Sequence, residues 1–287
     1  MQVFSSCLRR SACSSCTLKT SRRSRPARPF LPMSLPFDKA SAAPIRRQAG
    51  SDTACLLLHG LTGAPARDLW FLADYLFARG ISVVAPLLTG HGKTWKELEL
   101  ATSESWQNDA LAGLDEARTM GKTVFVAGLS MGGTLTLYLG EHHPEIAGLI
   151  TINAPVYVDD PKMRMIPILR HFRKNQPKGP PDVADQDAML PDLGFNSLEA
   201  IYQFERLMRG VREDLGMVTQ PLLSFRSMQD HVVPPRNAEY ILDHVNSRIK
   251  SVITLERSYH CATIDYDRER IAVGIEQFIT LVRKQQV

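Results

Sequence analysis

Short apolar runs alternate with longer stretches of helical periodicity from residue 54 to the end of the chain. Residues 54–59 (Ala-Cys-Leu-Leu-Leu-His) read as a buried strand. In 67–79, Leu69, Leu72, Ala73 and Leu76 recur at helical spacing, and Gly80 supplies the stop. A second strand follows at 81–86. A helix at 103–120 keeps Trp106, Ala110, Leu114 and Ala117 on one stripe. The pattern repeats as a strand at 123–127, a helix at 132–142 and strands at 147–153, 222–226 and 251–255. An amphipathic helix at 267–283 closes it. Strands apolar on both faces and separated by helices predict an α/β fold, with a mostly parallel sheet covered on both sides.

One segment breaks the rhythm. Between 155 and 217 no strand is evident. The segment holds Pro161, Pro167, Pro177, Pro180, Pro181 and Pro191, and a helical stripe of Leu198, Ile201, Tyr202, Glu205 and Met208. An insert between two core strands folds over the C-terminal edge of the sheet, where open α/β sheets bind ligands. A cap over 156–217 is therefore expected. Met163, Met165, Ile166, Ile168 and Leu169 at its start either line a lipid-sized pocket or anchor the cap to the core.

Length and composition narrow the function classes. A chain of 287 residues suits one domain of about 250 residues with an appendage. No apolar stretch approaches the ~18–20 residues of a spanning helix, so an integral membrane protein is not expected. Five cysteines, three of them before residue 17, give neither a disulfide framework nor a zinc site. Reduced thiols in a cytoplasmic compartment are the expectation. The net charge of +4 is unevenly placed: residues 1–37 hold seven Lys or Arg and no acid, which leaves the rest at −3. The basic character thus belongs to the extension, and nucleic acid is not an expected partner. The extension reads as an organellar transit peptide or as an over-extended start with Met33 as initiator. It is expected to be disordered and dispensable for chemistry. The folded domain is placed at 38–287.

The chemistry centres on Ser130, in Gly128-Leu129-Ser130-Met131-Gly132 between a buried strand and a helix. Flanking glycines permit a tight, strained turn that lifts the hydroxyl clear of the sheet. The following helix aims its unpaired N–H groups at any anion formed there. A serine hydroxyl needs a base, and the base an orienting carboxylate. Asp230 follows the strand at 222–226 and His260 the strand at 251–255, giving the chain order Ser130, Asp230, His260. The rivals suit other roles. His231 points away from its neighbour Asp230 on an extended segment. Asp265 suits a loop or helix start, and His142 and His143 suit a helix C-terminus. His91 suits a structural loop. An oxyanion needs two backbone donors. Met131 supplies one, and Leu61, in the loop after the strand ending at His59, is the candidate for the other. No metal and no organic cofactor are required.

Four segments carry a family resemblance. They are Leu57-Leu58-His59-Gly60-Leu61-Thr62-Gly63; Gly128-Leu129-Ser130-Met131-Gly132-Gly133-Thr134-Leu135; Asp230-His231-Val232-Val233-Pro234-Pro235; and Ser258-Tyr259-His260-Cys261-Ala262-Thr263-Ile264-Asp265-Tyr266-Asp267. From about residue 54 to the end, the chain resembles the α/β hydrolases of the bacterial monoacylglycerol lipase and carboxylesterase type. The resemblance implies the α/β-hydrolase fold, with a small cap after the sixth strand over a hydrophobic acyl tunnel. It carries nucleophile, acid and base onto Ser130, Asp230 and His260, and the oxyanion donors onto Leu61 and Met131. It implies activity on monoacylglycerols or related small esters; a monomer or homodimer is expected. Broad carboxylesterase or thioesterase activity is the alternative, and a small-ligand receptor on the same fold is the non-enzymatic one. The extension before Met33 and the Pro-, Lys- and Arg-rich stretch 159–192 depart from the pattern.

Overall fold

The computed structural model describes residues 42–188 and 195–285, apart from the side chain of Phe195. The expected transit peptide or alternative start at Met33 lies outside the described residues.

Seven strands form the main sheet: β1 (Ile45–Arg47), β2 (Thr53–Leu58), β3 (Ser82–Ala85), β4 (Thr123–Leu129), β5 (Gly148–Ile152), β8 (Leu222–Ser227) and β9 (Lys250–Leu255). Their order is β1-β3-β2-β4-β5-β8-β9. Only β1 runs antiparallel, against β3. All other pairings are parallel, as continuous apolar strands demand. Alternation within the strands splits the core into two layers. Ala54, Leu56 and Leu58 of β2 face one side with Val124 and Val126 of β4. There they meet Trp106, Ala110 and Leu114 of α3 (Ser103–Met120) and Leu135 and Leu139 of α4 (Met131–His142). Cys55, Leu57, Phe125 and Ala127 face the other side. They pack on Leu72 and Leu76 of α1 (Trp70–Phe77) and on Ile271, Ile275 and Phe278 of α8 (Arg268–Gln285). Burying such a side chain stabilises the fold by roughly 1.5–3 kcal/mol.

Helix starts follow local chemistry. Thr102 and Ser105 close a reciprocal capping box at the start of α3. Thr94 caps the short α2 (Trp95–Glu99), and Ser197 caps α6 (Leu198–Asp214). The helix expected at 67–79 is in two pieces, a π-helical turn at Pro65–Leu69 leading into α1. Three elements, β1, α2 and α7 (Arg236–His244), lie where periodicity predicted none.

The insertion leaves the sheet after β5, which is the fifth strand among the described residues, not the sixth. Only the short β1 precedes β2 there. Within the insertion stand a 3₁₀ turn (Pro161–Met165), α5 (Ile166–Leu169), and two strands, β6 (Asn175–Pro177) and β7 (Phe195–Ser197). The strands pair antiparallel and correct the expectation of a strandless insert. At three residues each they are too short to show alternation, and Pro177 masks the first of them. No helix among the described residues is long and apolar enough to cross a membrane.

Candidate active site

The last residue of β4 is Leu129, and the first of α4 is Met131. Ser130 must reverse the chain between them, and it does so at φ 54°, ψ −121°. A non-glycine residue there costs on the order of 1–3 kcal/mol and persists only where neighbours enforce it. The enforcement comes from close packing. A Cβ on Gly128 would overlap the Gly132 carbonyl, and one on Gly132 would overlap the Leu58 carbonyl. The Ser130 N–H donates to the Ile152 carbonyl of β5 at 2.9 Å. The turn is thereby locked, with its side chain at the C-terminal rim of the sheet.

His260 reaches the same point from the loop after β9. Its Nε2 lies 2.9 Å from Ser130 Oγ, and its Nδ1 lies 2.8 Å from Asp230 Oδ2. A proton on Nδ1 can be donated to the carboxylate, which leaves Nε2 free to accept from the hydroxyl. The side chain of Asp230 is 1% exposed. Its second oxygen accepts the N–H groups of Val232 and Val233 at 2.8 and 2.7 Å. Both carboxylate oxygens are therefore engaged, and the ring is oriented by a rigid partner.

Leu61 follows β2 at the same rim. Neither its N–H nor that of Met131 donates to an acceptor among the described residues. Met131 is the first residue of α4, where no intrahelical acceptor exists. The Gly60–Leu61 peptide is held from its carbonyl side. His59 Nδ1 lies 2.9 Å from the Gly60 oxygen, and the Gly63 N–H donates to it at 3.0 Å. His59 Nε2 accepts the Leu88 N–H, which assigns the proton to Nδ1. His91, stacked edge-on against His59, places Nε2 2.6 Å from the Leu61 carbonyl. Burial pushes both imidazoles below the ordinary value of 6.5, so they stand neutral in this loop. His91 thus sits in the structural loop role expected for it.

Three residues that pattern reading missed, or gave only a general role, fix the His260 loop. Asn153, at φ 47° just after β5, donates Nδ2 to the His260 carbonyl at 2.8 Å and accepts the Ser227 N–H at 2.7 Å. Asn tolerates this left-handed backbone better than most residues. Its place after a buried strand was the available signal. Asp182, from the insertion, accepts the His260 N–H at 3.1 Å and sits 2.7 Å from His231 Nδ1. No sequence signal marks it among the prolines. Asp265, fully buried, accepts N–H groups from Tyr259, Ala184 and Asp185, which join the insertion to the loop. His231 therefore belongs with Asp182, away from the Ser130 hydroxyl. His142 and His143 lie at the far end of α4, as expected of helix-terminal groups.

A cavity of about 330 Å³ opens beside Ser130 and His260. Leu129, Phe204, Val232 and Ile264 supply its apolar wall, and Arg67, Asp68, Lys178 and Asp182 its polar one. Burial pushes the Cys261 thiol at its edge up to about 12, so it remains protonated and does not compete as a nucleophile. The arrangement can deprotonate a hydroxyl, receive an anion at two free amides and hold an apolar chain.

Residues 50–195 match the family described as "Serine aminopeptidase, S33". A thermostable monoacylglycerol lipase of Bacillus sp. (strain H-257) is 37% identical over 75% of this chain and 86% of its own length. A carboxylesterase of Bacillus subtilis (strain 168) is 29% identical over 80% of this chain and 93% of its own. Among solved structures, one from a study of the metagenome-derived lipolytic enzymes LipS and LipT superposes with a TM-score of 0.80 at 31% identity. It covers 85% of this chain and 98% of that one.

Proposed function

Starting from a chain that belongs to the S33 serine aminopeptidase family of α/β hydrolases, and is a carboxylic ester hydrolase, we propose that it releases fatty acid and glycerol from monoacylglycerols through an acyl-enzyme on Ser130. In this reading His260 Nε2 takes the Ser130 proton as Oγ attacks the ester carbonyl. The oxyanion rests on the N–H groups of Leu61 and Met131, each worth about 3 kcal/mol of barrier. His260 then hands its proton to the departing alcohol, and the imidazolium is stabilised by Asp230. A water molecule, deprotonated by the same imidazole, frees the acid. A reducing, cytoplasm-like compartment suits Cys55 and Cys261, both free thiols.

The observation that carries the reading is the bridging imidazole, 2.9 Å from Ser130 Oγ and 2.8 Å from Asp230, beside a mostly apolar cavity. The family description names a peptidase; the ester reading draws on the lipase and carboxylesterase relatives, while the wall carboxylates are engaged within the protein, Asp68 by the Ala64 N–H and Arg67 Nε and Asp182 by His231 and the His260 amide. The monoacylglycerol preference draws on the 37% identical relative and on a cavity with room for one slender chain and a small polar head. A panel of mono-, di- and triacylglycerols, simple esters and acyl thioesters tests it. Highest kcat/KM on monoacylglycerol is expected. Equal or faster turnover of triacylglycerol contradicts the substrate while leaving the ester chemistry intact.

A further inference from the structure

Most of the apolar residues at the start of the insertion do neither of the two things expected of them. Ile166 alone is buried. Met165, Ile168, Leu169 and Phe172 are 48, 55, 41 and 85% exposed, and none lines the cavity at Ser130. Their spacing is i, i+3, i+4 and i+7. The backbone bonds of Arg170 to Ile166 and of Arg173 to Leu169 continue the helical turns of α5 beyond its last residue. The four side chains therefore form one apolar stripe that faces solvent, the reverse of an ordinary surface helix. Contiguous exposed apolar surface of this kind marks an interaction site.

Charge identifies the occupant. Residues 161–181 carry six Lys or Arg and no Asp or Glu. Arg170 is committed to Glu199 and Lys174 to Glu99. Lys162, Arg164 and Arg173 are exposed and form no ion pair among the described residues. A second copy of the same stripe would bring like charges together, which disfavours self-association through this face. An apolar ridge rimmed by cations matches a surface that offers phosphate groups outside and hydrocarbon beneath. We propose that this part of the cap docks on anionic phospholipid surfaces, with Met165, Ile168, Leu169 and Phe172 inserted at the interface and Lys162, Arg164 and Arg173 on the headgroups. Docking does not require hydrolysis, so it can fail while the reading of the active site stands.

The test is vesicle co-sedimentation of the full chain carrying Ser130→Ala, with phosphatidylcholine alone and with added phosphatidylglycerol. Binding is expected only where phosphatidylglycerol is present, and it should weaken with salt. Adding Ile168→Ser and Phe172→Ser should weaken it about tenfold. Adding Lys162→Gln, Arg164→Gln and Arg173→Gln should weaken it about a hundredfold, at about fivefold per charge. Placed in the otherwise unaltered chain, both sets should hydrolyse p-nitrophenyl acetate at the original rate, which shows that fold and site are intact. Undiminished binding in these variants would assign the affinity to another basic segment, such as residues 1–37, and overturn the proposal. Equal binding to neutral vesicles would also overturn it. So would a dimer in sedimentation velocity that Phe172→Ser dissolves, since the stripe would then meet protein.

Discussion

The rim of the sheet and the first part of the insertion obey opposite rules. At the rim the polar side chains are held in place: Asp230 meets three donors, Asn153 bonds the His260 and Ser227 backbones, and Ser130 stands on a backbone fixed between two glycines. In the insertion, apolar side chains stand in water, and Lys162, Arg164 and Arg173 form no ion pair among the described residues. The first region has the fixed geometry that the proposed reaction, with its positioned donors and base, requires. The second leaves its surface energy unspent, as a region that meets another phase requires. Asp182 and Asp265 lie where the two meet, so the insertion helps to hold the His260 loop while presenting a different face outward.

Substitution at the rim should therefore cost far more than substitution in the insertion. Asp230→Asn keeps the volume but removes the charge and the correct tautomer. It should lower kcat about a thousandfold or more with little change in KM, measured on a soluble ester. A smaller loss would mean that the carboxylate is not the group orienting His260.

Asp182→Ala sharpens the boundary between the regions. Loss of its bonds to the His260 amide and to His231 should lower kcat about tenfold, and Asp182→Asn, which keeps the acceptor, should recover part of it. An unchanged rate in Asp182→Ala would separate the insertion from the site altogether.

The smallest effect concerns stability and acid. His59 and His91 are neutral when folded because burial lowers their values, whereas in the unfolded chain they titrate near 6.5. Below that value the unfolded state binds protons that the folded state refuses, so stability falls as pH falls. The limit is about 1.4 kcal/mol per pH unit for each histidine. Denaturant midpoints between about pH 7 and pH 5 should show the fall, with a shallower slope in His91→Gln. An identical slope in that variant would remove His91 from the account.

Legibility in the sequence follows the same division. Strand ends are announced by apolar runs, so the residues just after them, Ser130, Asp230, His260 and Leu61, could be named from the chain alone. Burial on both faces of β2 and β4 made the parallel sheet legible as well. The strands β6 and β7 were hidden because three residues are too few for a period. Asp182 and Asp265 were hidden for another reason: their partners are backbone amides far away in sequence, and no local spacing encodes such a contact. Met165, Ile168 and Leu169 were visible as apolar residues and Phe172 was not singled out, but the direction they face depends on which side of the turn Ile166 occupies, and only tertiary packing decides that.

The central claim is that Ser130 alone forms the acyl-enzyme, driven by His260. Intact-protein and peptide mass spectrometry after reaction with a fluorophosphonate, a mimic of the attacked ester, tests it most directly. The account predicts one adduct per chain, carried on the peptide containing Ser130 and abolished in His260→Ala. An adduct on any other residue, or undiminished labelling of Ser130 in that variant, would contradict it.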